Sequence, residues 1–275
     1  MLWAWLGAEP FLDGLRHTDA TALLVALVVT AGTTWCCARR WSLLAGAIEV
    51  PVPLGAAYTA CYRAQFLNAT LPGGVVGDVH RGIRHGRDSG AIGRGLRSVV
   101  WDRASGQVVQ VGLVVLALPF LPGQLRGWVL GLAIVVAVVT VVFWAELRRV
   151  LRAGVWLQVV VLSALAAGGH VLVFVVAART AGVTAPLHEL VPLALGVLLA
   201  SAIPLNIAGW GPREGAAAWV FGAAGFGASV GLEVSVVYGV MSLVATFPGA
   251  VTWWRGPLPA PAPVQRPGPV EVRRA

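Results

Sequence analysis

Long apolar runs, separated by short stretches rich in arginine and glycine, make up most of this chain. The apolar runs lie at about 20–38, 54–77, 98–121, 127–146, 154–178, 188–206, 215–231 and 234–254. Several of them approach the roughly 20 residues that an α-helix needs to cross a bilayer core. Runs such as "WVLGLAIVVAVVTVVFW" do not alternate apolar and polar residues as the strands of a membrane barrel do. The pattern predicts an all-α, polytopic helical membrane protein with about six to seven spans.

The two ends of the chain differ from its apolar middle. Residues 1–19 carry tryptophans and are mixed in polarity, which is typical of an interfacial segment. The last stretch, 256–275, is rich in proline and is predicted to be a disordered tail on the cytoplasmic side. Between them, residues 20–255 are expected to form one transmembrane domain.

Composition supports a membrane protein and excludes two other classes. The mean hydropathy is +0.79 and only 12% of residues are charged, whereas a soluble domain carries roughly 25%. The net charge of +8 could indicate nucleic-acid binding. We reject that class because the arginines lie between apolar runs, where charge sets membrane topology. Arginine without any lysine, in an Ala-, Gly- and Val-rich chain, indicates a bacterial source and hence the inner cell membrane.

Arginine clusters predict which loops face the cytoplasm. The strongest are Arg39-Arg40, the stretch 78–97, expected to be a polar loop, and the stretch 146–152. Basic clusters beside membrane helices are retained on the cytoplasmic side. Trp35 and Trp41 flank the first cluster, and tryptophan beside arginine is expected at the boundary between membrane and water.

The apolar run 54–77 does not fit as a simple span, because both of its flanks are predicted to be cytoplasmic. It is also broken at Pro72, Gly73 and Gly74. A re-entrant segment that enters and returns on one side satisfies both observations. Broken backbone at membrane depth is tolerated where it is buried in protein or lines a wet cavity. An amphipathic helix on the membrane surface is the alternative.

A second break, "AIPLNIAGWGPREG" at 202–215, repeats this pattern of proline, glycines and trailing charges. Its candidate site residues are Pro204, Asn206, Gly209, Gly211, Arg213 and Glu214. Two interrupted apolar segments in the two halves of a chain indicate a transporter site. The fold is therefore expected to contain one or two re-entrant broken helices besides its spans.

Charged residues inside a predicted helix are the next candidates, since an ionisable group within a membrane is usually paired or functional. Asp102 and Arg103 are adjacent, so they cannot face each other and each needs its own partner. Arg63 and the pair Arg213 and Glu214 are the candidate partners. The alternatives are an ion pair that only fixes helix packing, and side chains that extend to the interface.

The breaks also predict an anion site. A helix N-terminus presents free N–H groups and a partial positive charge, which suit an anionic head group. Arg81, Arg84 and Arg87 follow the first break, and arginine makes bidentate contacts to phosphate. A lipid phosphate is the candidate ligand. The alternative is that these arginines only set topology.

The sequence lacks two common catalytic and nucleotide-binding motifs. It contains no GxxxxGK[ST] or HExxH pattern, and the three cysteines lack zinc-ligand spacing. We expect no cofactor, no metal site and no catalytic residue. A transported lipid would then move passively, by ion coupling or with the help of a partner.

Three motifs together resemble a known family. The motifs "FLNATLPGGVVGDVHR", "SVVWDR" and "IPLNIAGWGPREG" are similar to the flippase-like transmembrane region of lysylphosphatidylglycerol synthases, over about residues 15–254. The matching positions are Asn68, Pro72, Gly73, Gly74, Gly77, Asp78, Arg81, Asp102, Arg103, Pro204, Gly209, Gly211, Arg213 and Glu214. Val76, Ala208 and Trp210 depart from the pattern. Members usually have one more hydrophobic segment before 20–38, so a late start site or a truncated form is expected.

The resemblance implies translocation of a lipid without its synthesis, because the chain lacks a synthase domain. We expect Arg81, Arg213 and the helix ends to hold a lipid phosphate, and Asp102, Arg103 and Glu214 to shape the path. Anionic, aminoacylated and polyprenyl-linked lipids are candidate partners, as are a separate synthase or glycosyltransferase and a second copy of the chain. The alternatives are a lipid-sugar transferase with Asp78 or Asp102 as base, and an accessory membrane subunit.

Overall fold

The computed structural model describes residues 19–142, 154–201 and 211–254, and all regular secondary structure in these ranges is helical. The α-helices are α1 (Ala20–Ala47), α2 (Leu54–Thr70), α3 (Val76–Asp88), α4 (Ile92–Leu116), α5 (Gly123–Val142), α6 (Trp156–Thr180), α7 (Leu187–Ala200), α8 (Pro212–Ala223), α9 (Ala228–Thr246) and α10 (Pro248–Trp254). A short 3-10 turn, Leu118–Phe120, follows α4. The predicted all-α class is confirmed. The predicted end segments 1–19 and 256–275 lie almost wholly outside the described residues.

Three of the described helices are long and apolar enough to cross a membrane. They are α1, α6 and the continuous stretch Ala228–Thr252, which joins α9 to most of α10. The chain is therefore a multi-pass membrane protein. α7 is apolar but shorter, with 14 residues. The total of six to seven spans stays a prediction.

The first span is longer than its apolar run suggested. The side chain of Asp19 caps α1 by accepting a 2.6 Å hydrogen bond from the Ala22 N–H. The helix then continues without interruption past Arg40 to Ala47. The prediction that Trp41 marks an interface is wrong, because Trp41 is only 1% exposed. A tryptophan after an apolar run looks the same in sequence whether it meets lipid head groups or other helices.

The break after α2 lies where the sequence placed it. Gly73 and Gly74 have φ values of 94° and 62°, a conformation that glycine adopts without strain. The expected polar loop at 78–97 is wrong, because these residues form α3, a short turn and the first turns of α4. Their polar residues gave the segment a loop-like composition, although helical spacing places part of them on a buried face.

Glycines allow the helices on both sides of the break to approach closely. A Cβ atom on Gly77 would lie 2.2 Å from the backbone oxygen of Ala64 in α2. A Cβ atom on Gly95 in α4 would lie 2.5 Å from the Cα of Gly86 in α3. α2, α3 and α4 therefore pack backbone against backbone around the break.

The C-terminal half differs from the prediction at one element. The expected apolar segment 215–231 is two helices, because α8 ends at Ala223 and α9 begins at Ala228. Gly225 and Gly227, both with positive φ, form the turn between them. The second break falls between α7 and α8, and its residues 202–210 lie outside the described part of the chain.

The largest apolar core joins the two halves of the molecule. Phe174 of α6, Phe221 of α8 and Met241 of α9 are fully buried in it, next to residues from α1 and α7. α1 packs along α6, and α9 lies against both of them. This packing positions the polar ends of the broken helices over the middle of α1 and α6.

Candidate functional site

Three helices bring buried charges together into one ion-pair network. Asp102 of α4 accepts from two arginines: Arg40 Nε of α1 lies 2.8 Å from its Oδ1, and an Arg81 guanidinium nitrogen of α3 lies 2.7 Å from its Oδ2. Arg81 also lies 2.9 Å from Oδ1 of Asp78, one turn earlier on α3. All four side chains are buried. Buried charges are tolerated when they are paired in this way.

Arg40 extends the network to a fourth helix. Its guanidinium donates a 3.0 Å hydrogen bond to Ser163 Oγ of α6. Gly106 of α4 leaves room for it, since a Cβ there would lie 2.9 Å from an Arg40 nitrogen. The network therefore fixes the positions of α1, α3, α4 and α6 relative to one another.

The ring of Trp41 packs against the guanidinium group of Arg81. The Arg81 guanidinium carbon lies 4.7 Å from the centre of the Trp41 ring, a cation–π distance. The Trp41 indole donates a 2.9 Å hydrogen bond to Ser98 Oγ, and His85 packs edge-on against the same ring. Arg81 thus has ionic partners on one side and an aromatic face on the other.

Asn68, at the end of α2, caps the start of α3. Its Oδ1 accepts from the Gly77 N–H at 2.8 Å, and its Nδ2 donates to Oδ2 of Asp78 at 2.8 Å. One N–H of the expected free helix N-terminus, that of Gly77, is therefore capped by the protein itself. An acidic residue in the first turn of a helix also neutralises the positive end of its dipole.

Asp78 lies between two arginines. Its Oδ1 is 2.9 Å from an Arg81 nitrogen, and its Oδ2 contacts Arg103 and accepts a hydrogen bond from Asn68. Its helix, α3, has 13 residues and is too short to span a membrane by itself.

Arg103 is the most exposed arginine of this network. It contacts Oδ2 of Asp78, yet 49% of its side chain remains exposed. Asp102 and Arg103 thus have separate partners, as their adjacency predicted. The described ion pairs of Asp102 and Arg103 are with Arg40, Arg81 and Asp78 rather than with the expected Arg63, Arg213 or Glu214. Arg63 of α2 donates to the Thr252 hydroxyl at 3.2 Å and to the Thr252 carbonyl.

A second polar cluster lies at the start of α8. Arg213 Nε lies 2.9 Å from Oε1 of Glu214 and 3.0 Å from Ser235 Oγ of α9. The Arg213 guanidinium lies over the Tyr238 ring at 5.2 Å. The Glu214 carboxylate also accepts from the N–H of Gly211, the residue before the helix. The Tyr238 hydroxyl lies 3.4 Å from Nδ1 of His170.

Both clusters meet at a cavity of about 300 Å³. Its charged and polar lining includes Arg40, Arg81, Arg103, Arg213, Asp78, Asp102, Gln65, Asn68, His170 and Tyr238. Of the predicted site residues, Gly74 also lines it, whereas Pro72 and Gly73 lie in the turn beside it. Pro204, Asn206 and Gly209 lie outside the described residues.

Sequence reasoning missed Arg40, Trp41 and Ser163. Arg40 follows a span and stands beside Arg39, so it resembled a charge that sets topology. Ser163 is a lone hydroxyl in an apolar run. The one signal available was the carboxylate of Asp102, since a buried carboxylate needs a cationic partner and further hydrogen-bond donors for its remaining lone pairs.

The fold and the cavity define a polytopic helical membrane protein with a charged internal site. The family model for the lysylphosphatidylglycerol synthase transmembrane region matches residues 1–155, and the chain belongs to this family. The match includes the first two motifs and ends before the third. No curated protein and no solved structure matches the chain. Family membership gives this membrane protein a lipid-related function.

Proposed function

We propose that this protein moves a phosphate-bearing lipid between the leaflets of a bacterial inner membrane, with the lipid head group in the cavity. The observation that carries this function is the charge of the cavity lining. Its described residues include four arginines and two aspartates. Even with Glu214 counted beside Arg213, the positive charges outnumber the negative ones, so an anion is the favoured occupant.

The size of the cavity supports a head group as its occupant. At about 300 Å³ it is at the low end of small-molecule pockets. The acyl chains of a lipid would remain among the apolar helices. Gln65, Asn68 and Tyr238 add hydrogen-bonding groups to the lining, which a phosphate ester with attached hydroxyl or amino groups can use.

Arg103 is the best placed phosphate contact. Arg40 and Arg81 are enclosed by their carboxylates, whereas Arg103 lines the cavity and about half of its side chain is exposed. Arg213, from the second polar cluster, is a second contact. The earlier assignment of Arg81 to phosphate stays a prediction, and in our proposal Arg81 positions Asp78 and Asp102.

Translocation by this chain requires no bond-making step of its own. We propose that a separate enzyme, a synthase or a glycosyltransferase, supplies the lipid at the cytoplasmic face, where the C-terminus also lies. Aminoacylated, anionic and polyprenyl-linked phospholipids all carry the phosphate that the arginines would bind.

The test is lipid scrambling in proteoliposomes that contain the full chain. Fluorescent phosphatidylglycerol would be reduced chemically from outside, and the accessible fraction compared among wild type, Arg103→Ala and Arg94→Ala. Arg94 is the matched control, since it is a half-exposed arginine of α4 that pairs with Glu49 outside the cavity. We expect at least a tenfold slower rate for Arg103→Ala, which corresponds to about 1.4 kcal/mol of lost binding to a charged group, and an unchanged rate for Arg94→Ala.

Two further arms make the result specific. Arg103→Lys should retain part of the rate, because it keeps the charge and loses the bidentate geometry. A fluorescent neutral glycolipid without phosphate should be moved slowly by the wild type. Equal rates for wild type and Arg103→Ala, or faster movement of the neutral lipid, would contradict the proposed function.

A further inference from the structure

The helices of the two halves follow each other with a constant spacing in sequence. Three helices of the first half start at Ala20, Val76 and Ile92, and three of the second half start at Trp156, Pro212 and Ala228. Taken in order, each start in the first half lies 136 residues before its counterpart in the second half. The stretch Ala228–Thr252 has the same length as α4, 25 residues. α2 and α7 hold the equivalent places before the two breaks, with starts 133 residues apart.

The packing repeats as well. α1 packs on α9, and its counterpart α6 packs on α4; α2 packs on α9, and its counterpart α7 packs on α4. Gly95 and Gly231 are also 136 residues apart, and a Cβ at either would overlap the backbone of the helix before it. Sequence spacing, helix length and packing therefore agree on two copies of one unit, residues 20–116 and 156–252.

The two units have opposite directions. Contacting pairs, in order along α1, are Thr33 with Gly169, Arg40 with Ser163 and Leu44 with Val159. The α6 numbers fall as the α1 numbers rise, so α1 and α6 are antiparallel. Thr33 and Gly169 are themselves 136 residues apart, so each touches its own counterpart. The two-fold axis that relates the units passes through this contact, perpendicular to the helices.

The two units share one acidic residue beside their breaks and differ at the other charged positions of the network. Asp78 and Glu214 are counterparts, each the third residue of the helix after its break, and each is paired with arginine. The other network positions of the first unit have no charged counterpart. Where it has Arg40, Arg81, Asp102 and Arg103, the second unit has Val176, Ala217, Tyr238 and Gly239.

We infer that the chain is an inverted duplication in which the helix pairs α2–α3 and α7–α8 enter the membrane from opposite leaflets and line one cavity. The end of α2, the turn after it and the start of α3 contribute Asn68, Gly74 and Asp78 to the lining. In the second unit, Ser201 after α7 and Pro212 and Arg213 of α8 contribute to the same lining. A site between inverted units lies near the middle of the bilayer. The two helix pairs together then form one anion path that is reached from both sides.

The inversion does not rest on the proposed function, whereas the anion path does. Topology is therefore tested first, by labelling engineered cysteines in intact bacterial cells with a membrane-impermeant maleimide. Gly93→Cys and Ser229→Cys form the matched pair, since they occupy counterpart positions at exposed helix starts. A Cβ at Gly93 meets nothing within 4 Å. The unmodified chain controls for Cys36, Cys37 and Cys61.

We expect Ser229→Cys to be labelled in intact cells, and Gly93→Cys only after permeabilisation, because Gly93 lies in the arginine-rich stretch. Labelling of both variants from the same side would overturn the inversion. Arg87→Cys, at an exposed residue of the same stretch, replaces Gly93→Cys if that variant expresses poorly. Opposite labelling together with failed lipid scrambling would keep the inversion and reject the lipid path.

Discussion

At the residue scale, Asp102 is the carboxylate that links arginines from two different helices of the site. It is 2% exposed and holds one arginine from α1 and one from α3. The arginines approach from separate helices, so the carboxylate determines how closely those helices pack.

Replacing Asp102 should therefore destabilise the protein strongly. We expect Asp102→Ala to cost about 3–5 kcal/mol of unfolding free energy, the usual loss when a buried ion pair loses one partner. The measurement is thermal unfolding in detergent. Asp88→Ala is the control, because Asp88 is an exposed aspartate on α3 and should stay within about 0.5 kcal/mol of wild type. Equal losses for both variants would contradict this role.

Sequence could identify Asp102 but not its partners. A charge within an apolar helix signals a buried pairing, and this much followed from the order of residues. The partner Arg40 is 62 residues away and looks like a topology signal. Only the crossing of α1 and α4 brings the two together, and no local pattern contains a helix crossing.

At the scale of elements, the broken hairpin of α2 and α3 depends on the missing side chain of Gly77. Gly77→Ala would place a methyl group against backbone atoms of Ala64, which cannot move aside as a flexible side chain can. We expect a loss of about 1–3 kcal/mol, typical of overpacking. Thermal stability of the purified protein measures it.

Gly93→Ala is the matched comparison for that variant. Gly93 lies in the first turn of α4 with open space around its Cα, and alanine favours the helix. Its stability should stay equal or rise by as much as about 1 kcal/mol. If Gly77→Ala were as stable as Gly93→Ala, the close approach of α2 and α3 would not matter to the fold.

At the scale of the whole molecule, the contact of Thr33 with Gly169 joins the two units. A Cβ on Gly169 would lie 2.3 Å from the Thr33 methyl carbon. We expect Gly169→Ala to lower the unfolding temperature, and Thr33→Ser to restore it in the double variant by removing that methyl. A double-mutant cycle should give a coupling of about 0.5–3 kcal/mol. Simple additivity would show that the two helices do not meet there.

Sequence predicted more of this architecture than of its site. Apolar runs indicated the spans, and Pro72 with its glycines located the first break, because both signals are local. The repeat was only visible as two similar breaks, since the charges of the first unit are replaced by Val176, Ala217 and Tyr238 in the second. The two units share their helix spacing and differ in most of these side chains.

The unequal charges of the two units have a consequence for energetics. Among the residues that the structure describes, the network of the first unit holds three arginines and two aspartates, a net charge of +1. If the units exchange shapes during a transport cycle, this charge moves across part of the membrane field. A full crossing is worth about 2.3 kcal/mol per 100 mV. The voltage of a respiring cell would then favour one orientation of the empty protein, and a bound phosphate would remove the bias by cancelling the charge.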